Sequence, residues 1–291
     1  MERLPNVIGQ VSPIVLRRRR RRFDLYPLHN DPLSLIPDMT EAEEINSNGT
    51  SVVWKVPFGE KYIVLKEINK ASLFTESLRA NATAEVAALR ALQHPNIVEF
   101  GGAFQTHDNL YIAMRYHRQD LYKYTTSNYI VKTQDAERWI TQLASALAYM
   151  KTKGFLHRDI KLENVLRTSR NNVRLADFGL SILKEDVLST EAVGTRHCIA
   201  PEVKAGLPQG YEIDAWGLGV LLFELLSGAI PPFTYKMIRS PYAPGHQPFE
   251  KSILRSSSAK CMRLLRGFLQ CNPHNRLTVE DLDKSQMCIV C

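Results

Sequence analysis

Cysteine is scarce in this 291-residue chain and its spacing is irregular: Cys198, Cys261, Cys271, Cys288 and Cys291. An odd number without a regular pattern excludes a disulfide framework and fits a reducing compartment, so a location in the nucleus or cytoplasm is expected. Long apolar runs are also missing. The stretch from Trp216 to Phe223 continues as Glu224-Leu225-Leu226, too short and too soon charged for a bilayer. A buried core helix is expected there, and no transmembrane segment. Near the N-terminus, Val11 to Leu16 is short, broken by Pro13 and followed by six arginines, so it does not form a signal-peptide core. Secretion is not expected, and the sequons at Asn48 and Asn81 then carry no meaning. There is no internal repeat.

What is present is a chain with 44% hydrophobic and 23% charged residues, enough to bury a large core and to divide into two compact units. The net charge is +7, of which Arg17 to Arg22 supply six, so the remainder is close to neutral. Such a run reads as a nuclear import signal recognised by an import receptor, as a contact for an acidic partner, or as a solvated tail. A nucleic-acid-binding reading rests on this run alone and lacks aromatic or fold support, so no specific nucleic acid is predicted.

Residues 1–40 mix Pro5, Pro13, Pro27, Pro32 and Pro37 with the arginines and show no period, which predicts a basic, disordered extension. Strand patterns follow in Val52 to Val56 and Tyr62 to Lys66, joined by a turn at Pro57 to Glu60. Alternation puts Tyr62, Val64 and Lys66 on one face of the second strand, with Ile63 and Leu65 on the other. A helix is predicted over 73–93, ended by Pro95, then strands at 97–100 and 110–114. Beyond Tyr116 the pattern is helical, most clearly at 139–150, 211–226 and 259–269.

The segment His157-Arg158-Asp159-Ile160-Lys161-Leu162-Glu163-Asn164, followed by Asp177-Phe178-Gly179, resembles the catalytic loop and metal-binding motif of eukaryotic-type protein kinases. Ala200-Pro201-Glu202 and Asp214-Ala215-Trp216-Gly217 follow in the family's order, and the resemblance covers residues from about 45 to about 284. It implies an α+β, bilobal protein kinase fold: a sheet-rich N-lobe with one regulatory helix at 41–116, a larger helical C-lobe at 117–284, and a tail at 285–291.

The resemblance implies roles. Asp159 orients the substrate hydroxyl and accepts its proton, Lys161 steadies the transferring phosphoryl, and Asn164 and Asp177 hold magnesium. Lys66 fits the strand lysine that grips the α and β phosphates of ATP. Its partner is expected to be Glu85, because that carboxylate shares a helix face with Leu89 and Leu92, where an unpaired charge is expensive. Met114 takes the gatekeeper position, with Arg115, Tyr116 and His117 facing adenine through backbone groups. Asp120 reads as a ribose contact or as the N-cap of a helix beginning at Leu121, and the two roles are compatible. Val53, Val64 and Leu166 form the apolar walls around adenine. Glu202 and Arg276 resemble the family's buried ion pair, and Asp214 the aspartate that anchors the catalytic loop. Lys161 and Gly194-Thr195 resemble the Ser/Thr branch. Glu163 and Glu224 match carboxylates that in some members contact basic residues upstream of the target hydroxyl, and protein substrates of that kind are a further expectation.

The pattern breaks in two places. Where the family has three glycines, this chain has Asn46, Asn48 and Ser51, with the single Gly49 adjacent. Asparagine is the residue next most tolerant of positive φ, so a looser loop over ATP is expected. Val64 replaces the usual alanine and lowers the adenine ceiling. Both departures keep open an alternative, a pseudokinase scaffold with weak nucleotide binding. A compact kinase with an eroded loop is also reminiscent of virus-encoded kinases. Ser189 and Thr190 read either as activation-loop phosphorylation sites paired with Arg158 or as ordinary loop hydroxyls. Cys288-Ile289-Val290-Cys291 has the form of a prenylation signal, though an inert tail is the preferred reading.

Overall fold

The computed structural model describes residues 14–16, 25–27, 39–127, 131–183, 193–231 and 257–282. The arginine run, Ser189, Thr190 and the last four residues lie outside the described residues. The chain forms two compact units, one taking residues up to 93 with 98–116, the other taking 94–97 with the residues from 117 on.

In the first unit, β1 (Ile14–Leu16) pairs antiparallel with β2 (Leu25–Pro27), inside the stretch where no element is expected from sequence. Five longer strands follow: β3 (Glu43–Ser47), β4 (Ser51–Phe58), β5 (Lys61–Asn69), β6 (Phe100–Gln105) and β7 (Asn109–Arg115). They form one antiparallel sheet in the order β3-β4-β5-β7-β6. The β4–β5 turn is tighter than the sequence pattern indicates. Only Gly59 and Glu60 stand outside the ladder, with Gly59 at φ 59°, the positive value a two-residue hairpin loop requires.

Ile63 and Leu65 of β5 are buried in a core with Val56, Phe104, Tyr111 and Ala113. Removing side chains of this size from water contributes roughly 1.5–3 kcal/mol each. The register sets Lys66 opposite Val53 and Ile112, and Val64 opposite Lys55 and Met114, so these six share the other face. The strand predicted at 97–100 instead runs from Phe100 to Gln105. Gly101 and Gly102 weaken the strand signature, and the register shifts between Phe100 and Gly102, where φ is 148°. Ile97 belongs to the other unit, where it bridges Leu175 in parallel.

Helix α1 (Glu76–Ala91) begins three residues later than predicted, because the Thr75 hydroxyl caps it by accepting from Leu78 N at 3.2 Å. Its buried stripe is Ala82, Glu85, Val86, Ala88 and Leu89.

The second unit holds α2 (Leu121–Ser127), α3 (Thr133–Thr152), α4 (Pro201–Lys204), α5 (Glu212–Ser227) and α6 (Ala259–Phe268). Short strands join them: β8 (Gln119–Asp120), β10 (Val165–Arg167) and β11 (Val173–Leu175) form one sheet, and β9 (Phe155–Leu156) pairs with β12 (Ile182–Leu183). Helix α5 is buried from Ile213 through Leu225 and ends at Gly228, which takes the left-handed φ of 68°. It is the core helix expected from its apolar run. Helix α3 packs on it, and its buried residues include Trp139, Ile140, Leu143, Leu147 and Met150, at three- and four-residue spacing. Among the described residues, no helix is long and apolar enough to cross a membrane.

Candidate functional site

The first unit carries one set of functional side chains. Lys66 Nζ donates to both oxygens of Glu85, at 2.7 and 2.9 Å. Glu85 is 2% exposed and projects from the apolar stripe of α1, so the ammonium meets a carboxylate that could not remain charged there alone. Val53, Val64 and Met114 lie on the same sheet face as Lys66. At the end of that face Lys55 Nζ stands 4.5 Å from the Tyr62 ring centroid and 5.7 Å from that of Tyr116, and it pairs with Glu43 at 2.7 Å. Tyr62 and Tyr116 meet edge to face at 5.8 Å. This cation–aromatic group is not visible in the sequence, since its members come from β4, β5 and the residue following β7. Arg115 turns its guanidinium to Glu99, at 2.9 and 3.1 Å.

The loop between β3 and β4 departs from expectation in its physics. Neither Asn46 nor Asn48 takes a positive φ. Asn48 acts through its side chain: Oδ1 accepts from the backbone N–H of Thr50 at 2.9 Å and of Ser51 at 2.8 Å. The signal for such a turn, Asn followed two residues later by Thr-Ser, is present in the sequence.

The second unit carries the other set. Asp159, 6% exposed, has both carboxylate oxygens engaged. Oδ1 accepts from Thr195 N at 3.0 Å and Thr195 Oγ1 at 2.8 Å; Oδ2 accepts from Lys161 Nζ at 2.7 Å and Asn164 Nδ2 at 2.9 Å. Lys161 Nζ also reaches Thr195 Oγ1 at 2.9 Å. Burial works to raise the Asp159 pKa, but Lys161 and Thr195 together prevail and hold it below the usual aspartate value. The Lys161 ammonium is correspondingly favoured: burial opposes its charge, and Asp159, with Glu163 and Asp177, more than offsets this.

Backbone geometry delivers these groups. Gly194 takes φ 103°, and a Cβ there would lie 2.7 Å from the Arg158 carbonyl oxygen, so only glycine lets Thr195 reach Asp159. Arg158 itself sits at φ 69°, an arrangement that costs on the order of 1–3 kcal/mol and must be over-determined by its surroundings. Asp214 does this: its oxygens accept from His157 N and Arg158 N, both at 2.8 Å, while Arg158 Nε donates to Leu180 O at 2.7 Å. His157 is fully buried, bonds Ala176 O through Nε2 at 3.1 Å and stacks edge-on against Phe178. The loop holding Asp159 is thus tied to the segment holding Asp177.

Asn164 commits its amide nitrogen to the Asp159 backbone carbonyl and carboxylate, both at 2.9 Å, which leaves its side-chain oxygen as the ligating atom. Asp177 is exposed, takes φ 59° and lies close enough to Lys161 to favour its charge. Two hard oxygen donors fit magnesium, which keeps waters and takes phosphate oxygens. Among the described residues no group of three His, Cys, Asp or Glu could hold an ion alone. Leu166 pairs with Asp120 across β10 and β8, and Asp120 Oδ1 accepts from Lys123 N at 2.6 Å, the N-cap contact of α2. His117 is half-buried in the same unit.

Arg276 forms a two-pronged pair with Glu202, at 2.6 and 2.8 Å, with both side chains buried. Glu224 is paired with His197, Nε2 to Oε1 at 3.1 Å. Burial, with Glu163 nearby, pushes the Glu224 carboxyl up to about 7, and burial lowers the His197 pKa. The His197 contact is absent from the sequence reading because nothing in a lone histidine names its partner.

A model of the protein kinase domain matches residues 45–287. The chain belongs to that family. It is similar to NUAK family SNF1-like kinase 1 of Homo sapiens, at 31% identity over 232 residues, 77% of this chain and 34% of that protein. It is also similar to CBL-interacting serine/threonine-protein kinase 13 of Arabidopsis thaliana, at 32% over 229 residues, covering 76% and 45%. A third relative is the carbon catabolite-derepressing protein kinase of Candida albicans, at 30% over 233 residues, covering 77% and 36%. The chain therefore spans less than half the length of these curated relatives. What this kinase domain keeps is the Lys66–Glu85 pair and the network around Asp159.

Proposed function

We propose that this chain is a protein kinase that transfers the γ-phosphate of ATP to Ser or Thr hydroxyls of protein substrates. The observation that carries the reading is the Asp159 carboxylate, held in place among Lys161, Asn164 and Thr195. Phosphoryl transfer through a loose transition state asks for positioning and charge stabilisation rather than covalent help. Asp159 orients the attacking hydroxyl; the oxygen bonds to the γ-phosphorus, the bond to ADP breaks, and the proton passes to the carboxylate. A pKa held low suits a group that takes this proton late, once the new bond has acidified the hydroxyl. Lys161 offsets charge on the transferring phosphoryl, and Lys66, oriented by Glu85, binds the α and β phosphates. Asn164 Oδ1 and Asp177 would hold magnesium, which when bound would supply charge neutralisation on the phosphates. Thr195, locked to both Asp159 and Lys161, supports the Ser/Thr preference.

The test is incubation of the purified chain with γ-labelled ATP, magnesium and a basic Ser/Thr peptide, beside Asp159→Asn and Asp177→Ala. Labelled phosphoserine or phosphothreonine from the wild type alone is expected. Nucleotide binding without transfer would favour the second reading, a non-catalytic scaffold, to which the capped loop and Val64 lend support. For location we propose nucleus or cytoplasm, with Arg17 to Arg22 as an import signal, tested by replacing the run with alanine in a fluorescent fusion.

A further inference from the structure

We infer that the side chain of Asn48 is a built-in competitor for the phosphates of ATP: it occupies the loop amides that a phosphate would need, so nucleotide must displace it. The inference rests on the kinase reading above and concerns the first unit alone.

The loop from Ile45 to Val53 is closed by its own residue. Asn48 Oδ1 accepts from Thr50 N at 2.9 Å and Ser51 N at 2.8 Å, and the Thr50 and Ser51 hydroxyls lie at 3.1 and 3.2 Å. A carbonyl oxygen has two lone pairs, so the two amides saturate it and the hydroxyls share what is left. The Asn48 backbone N–H donates to Ser51 O at 2.9 Å, completing a closed ring of contacts. The Thr50 carbonyl is tied back to the sheet by Asn69 N at 3.2 Å and Ser72 Oγ at 3.3 Å.

Successive backbone N–H groups in a turn make an anion-binding concavity, and glycine-rich loops bind phosphate by presenting such groups without side chains. Here two consecutive amides are already committed to a neutral acceptor that mimics a phosphate oxygen. The loop's remaining glycine does not set its shape: Gly49 takes no positive φ, and a Cβ there would touch nothing within 4 Å. Asn48 therefore does by side-chain bonding what glycines do elsewhere by backbone freedom. It preorganises the loop and at the same time fills it. A charged phosphate oxygen makes stronger bonds to these amides than a neutral amide oxygen, so displacement is favourable but reduced by the contacts given up.

The experiment is equilibrium binding of Mg·ATP to the full chain by calorimetry, for wild type, Asn48→Gly, Asn48→Ala and Asn48→Asp, each checked for folding by thermal unfolding. Asn48→Gly and Asn48→Ala remove the competitor, and ATP affinity is expected to rise about threefold to tenfold, the worth of one or two neutral hydrogen bonds. Asn48→Asp keeps the acceptor and sets a charge against the phosphates, and should bind more weakly than wild type. Hydrogen exchange of the loop without nucleotide should be faster in Asn48→Ala. If wild type binds ATP while folded Asn48→Gly and Asn48→Ala bind equally or more weakly, the inference is overturned and the kinase reading stands. If none of the four binds ATP, both fall together.

Discussion

Arg276 reaches Glu202 across 74 positions of sequence and closes on it with two parallel hydrogen bonds, Nη1 to Oε1 at 2.6 Å and Nη2 to Oε2 at 2.8 Å. The guanidinium spends its other donors on the carbonyls of Gln270, Cys271 and Glu212, so every part of the fork is used. Glu202 opens α4 immediately after the segment carrying Thr195, and the pair fixes that segment to the chain around α5 and α6. Removing one partner leaves a buried charge. Arg276→Met and Glu202→Gln should each lower stability by about 3–5 kcal/mol, read as the midpoint of urea unfolding. Arg276→Lys should recover little, because an ammonium cannot reproduce the fork. A loss under about 1 kcal/mol in Glu202→Gln would show that the pair is not structural.

The Lys66–Glu85 pair separates stability from chemistry. Lys66→Met should reduce phosphate transfer by a hundredfold or more on the order expected for losing a phosphate-binding cation, and should also destabilise the first unit. The double variant Lys66→Met/Glu85→Leu replaces both charges by apolar groups on the face of α1 and should regain most of the stability. It should regain none of the transfer. Recovery of activity in the double variant would mean that the pair serves only to hold the helix.

Most of this arrangement is legible in the sequence because chemistry restricts residue types at fixed spacing. Asp159, Lys161, Asn164 and Asp177 fall close together in the chain, and a carboxylate on the leucine face of α1 demands a cation. Elements that depend on long-range register are not legible. β6 is masked by Gly101 and Gly102, and Lys55, Tyr62 and Tyr116 come from β4, β5 and the residue following β7, which only the pairing of those strands brings near one another. Asn48 is legible as a departure from glycine, but its reason is misread. The sequence suggests backbone tolerance, whereas the residue works through Oδ1. His197 is illegible for a simpler cause: it sits in a turn ahead of α4, and its partner Glu224 lies far along the chain on α5.

Val64 stands opposite Lys55 and Met114 on the face that carries Lys66, at the position that the sequence resemblance matches to a smaller alanine. Two added methyl groups lower the space available to a base stacked on that face. Val64→Ala should lower KM for ATP by about threefold with little change in kcat, consistent with uniform binding of ground and transition states. An unchanged KM for ATP would place the base elsewhere.

Glu224 gives the chain a pH dependence whose sign can be worked out. Burial, and secondarily the charge of Glu163, raise its pKa from 4.5 to about 7, so the fold favours the protonated carboxyl. Between about pH 4.5 and 7 the native state then binds more protons than the unfolded chain, and this contribution to stability falls as pH rises through that window. His197, facing it at 3.1 Å, works in the opposite direction: burial lowers its pKa, so its contribution grows as pH rises through the usual histidine range. Glu224→Gln isolates the first effect. It should be more stable than wild type at pH 8 by on the order of 3 kcal/mol and nearly equal to it at pH 4.5. If Glu224 contacts a basic residue upstream of the target hydroxyl, as the sequence resemblance implies, the same ionisation should govern substrate choice, because the carboxyl attracts a cation only when charged. Preference for arginine upstream of the target hydroxyl should therefore strengthen between pH 6 and 8 in the wild type, and His197→Ala, which removes the internal partner, should strengthen it at every pH in that range. Peptide kinetics with and without the arginine check this, and a preference that stays flat with pH and unmoved in His197→Ala would separate Glu224 from substrate recognition altogether.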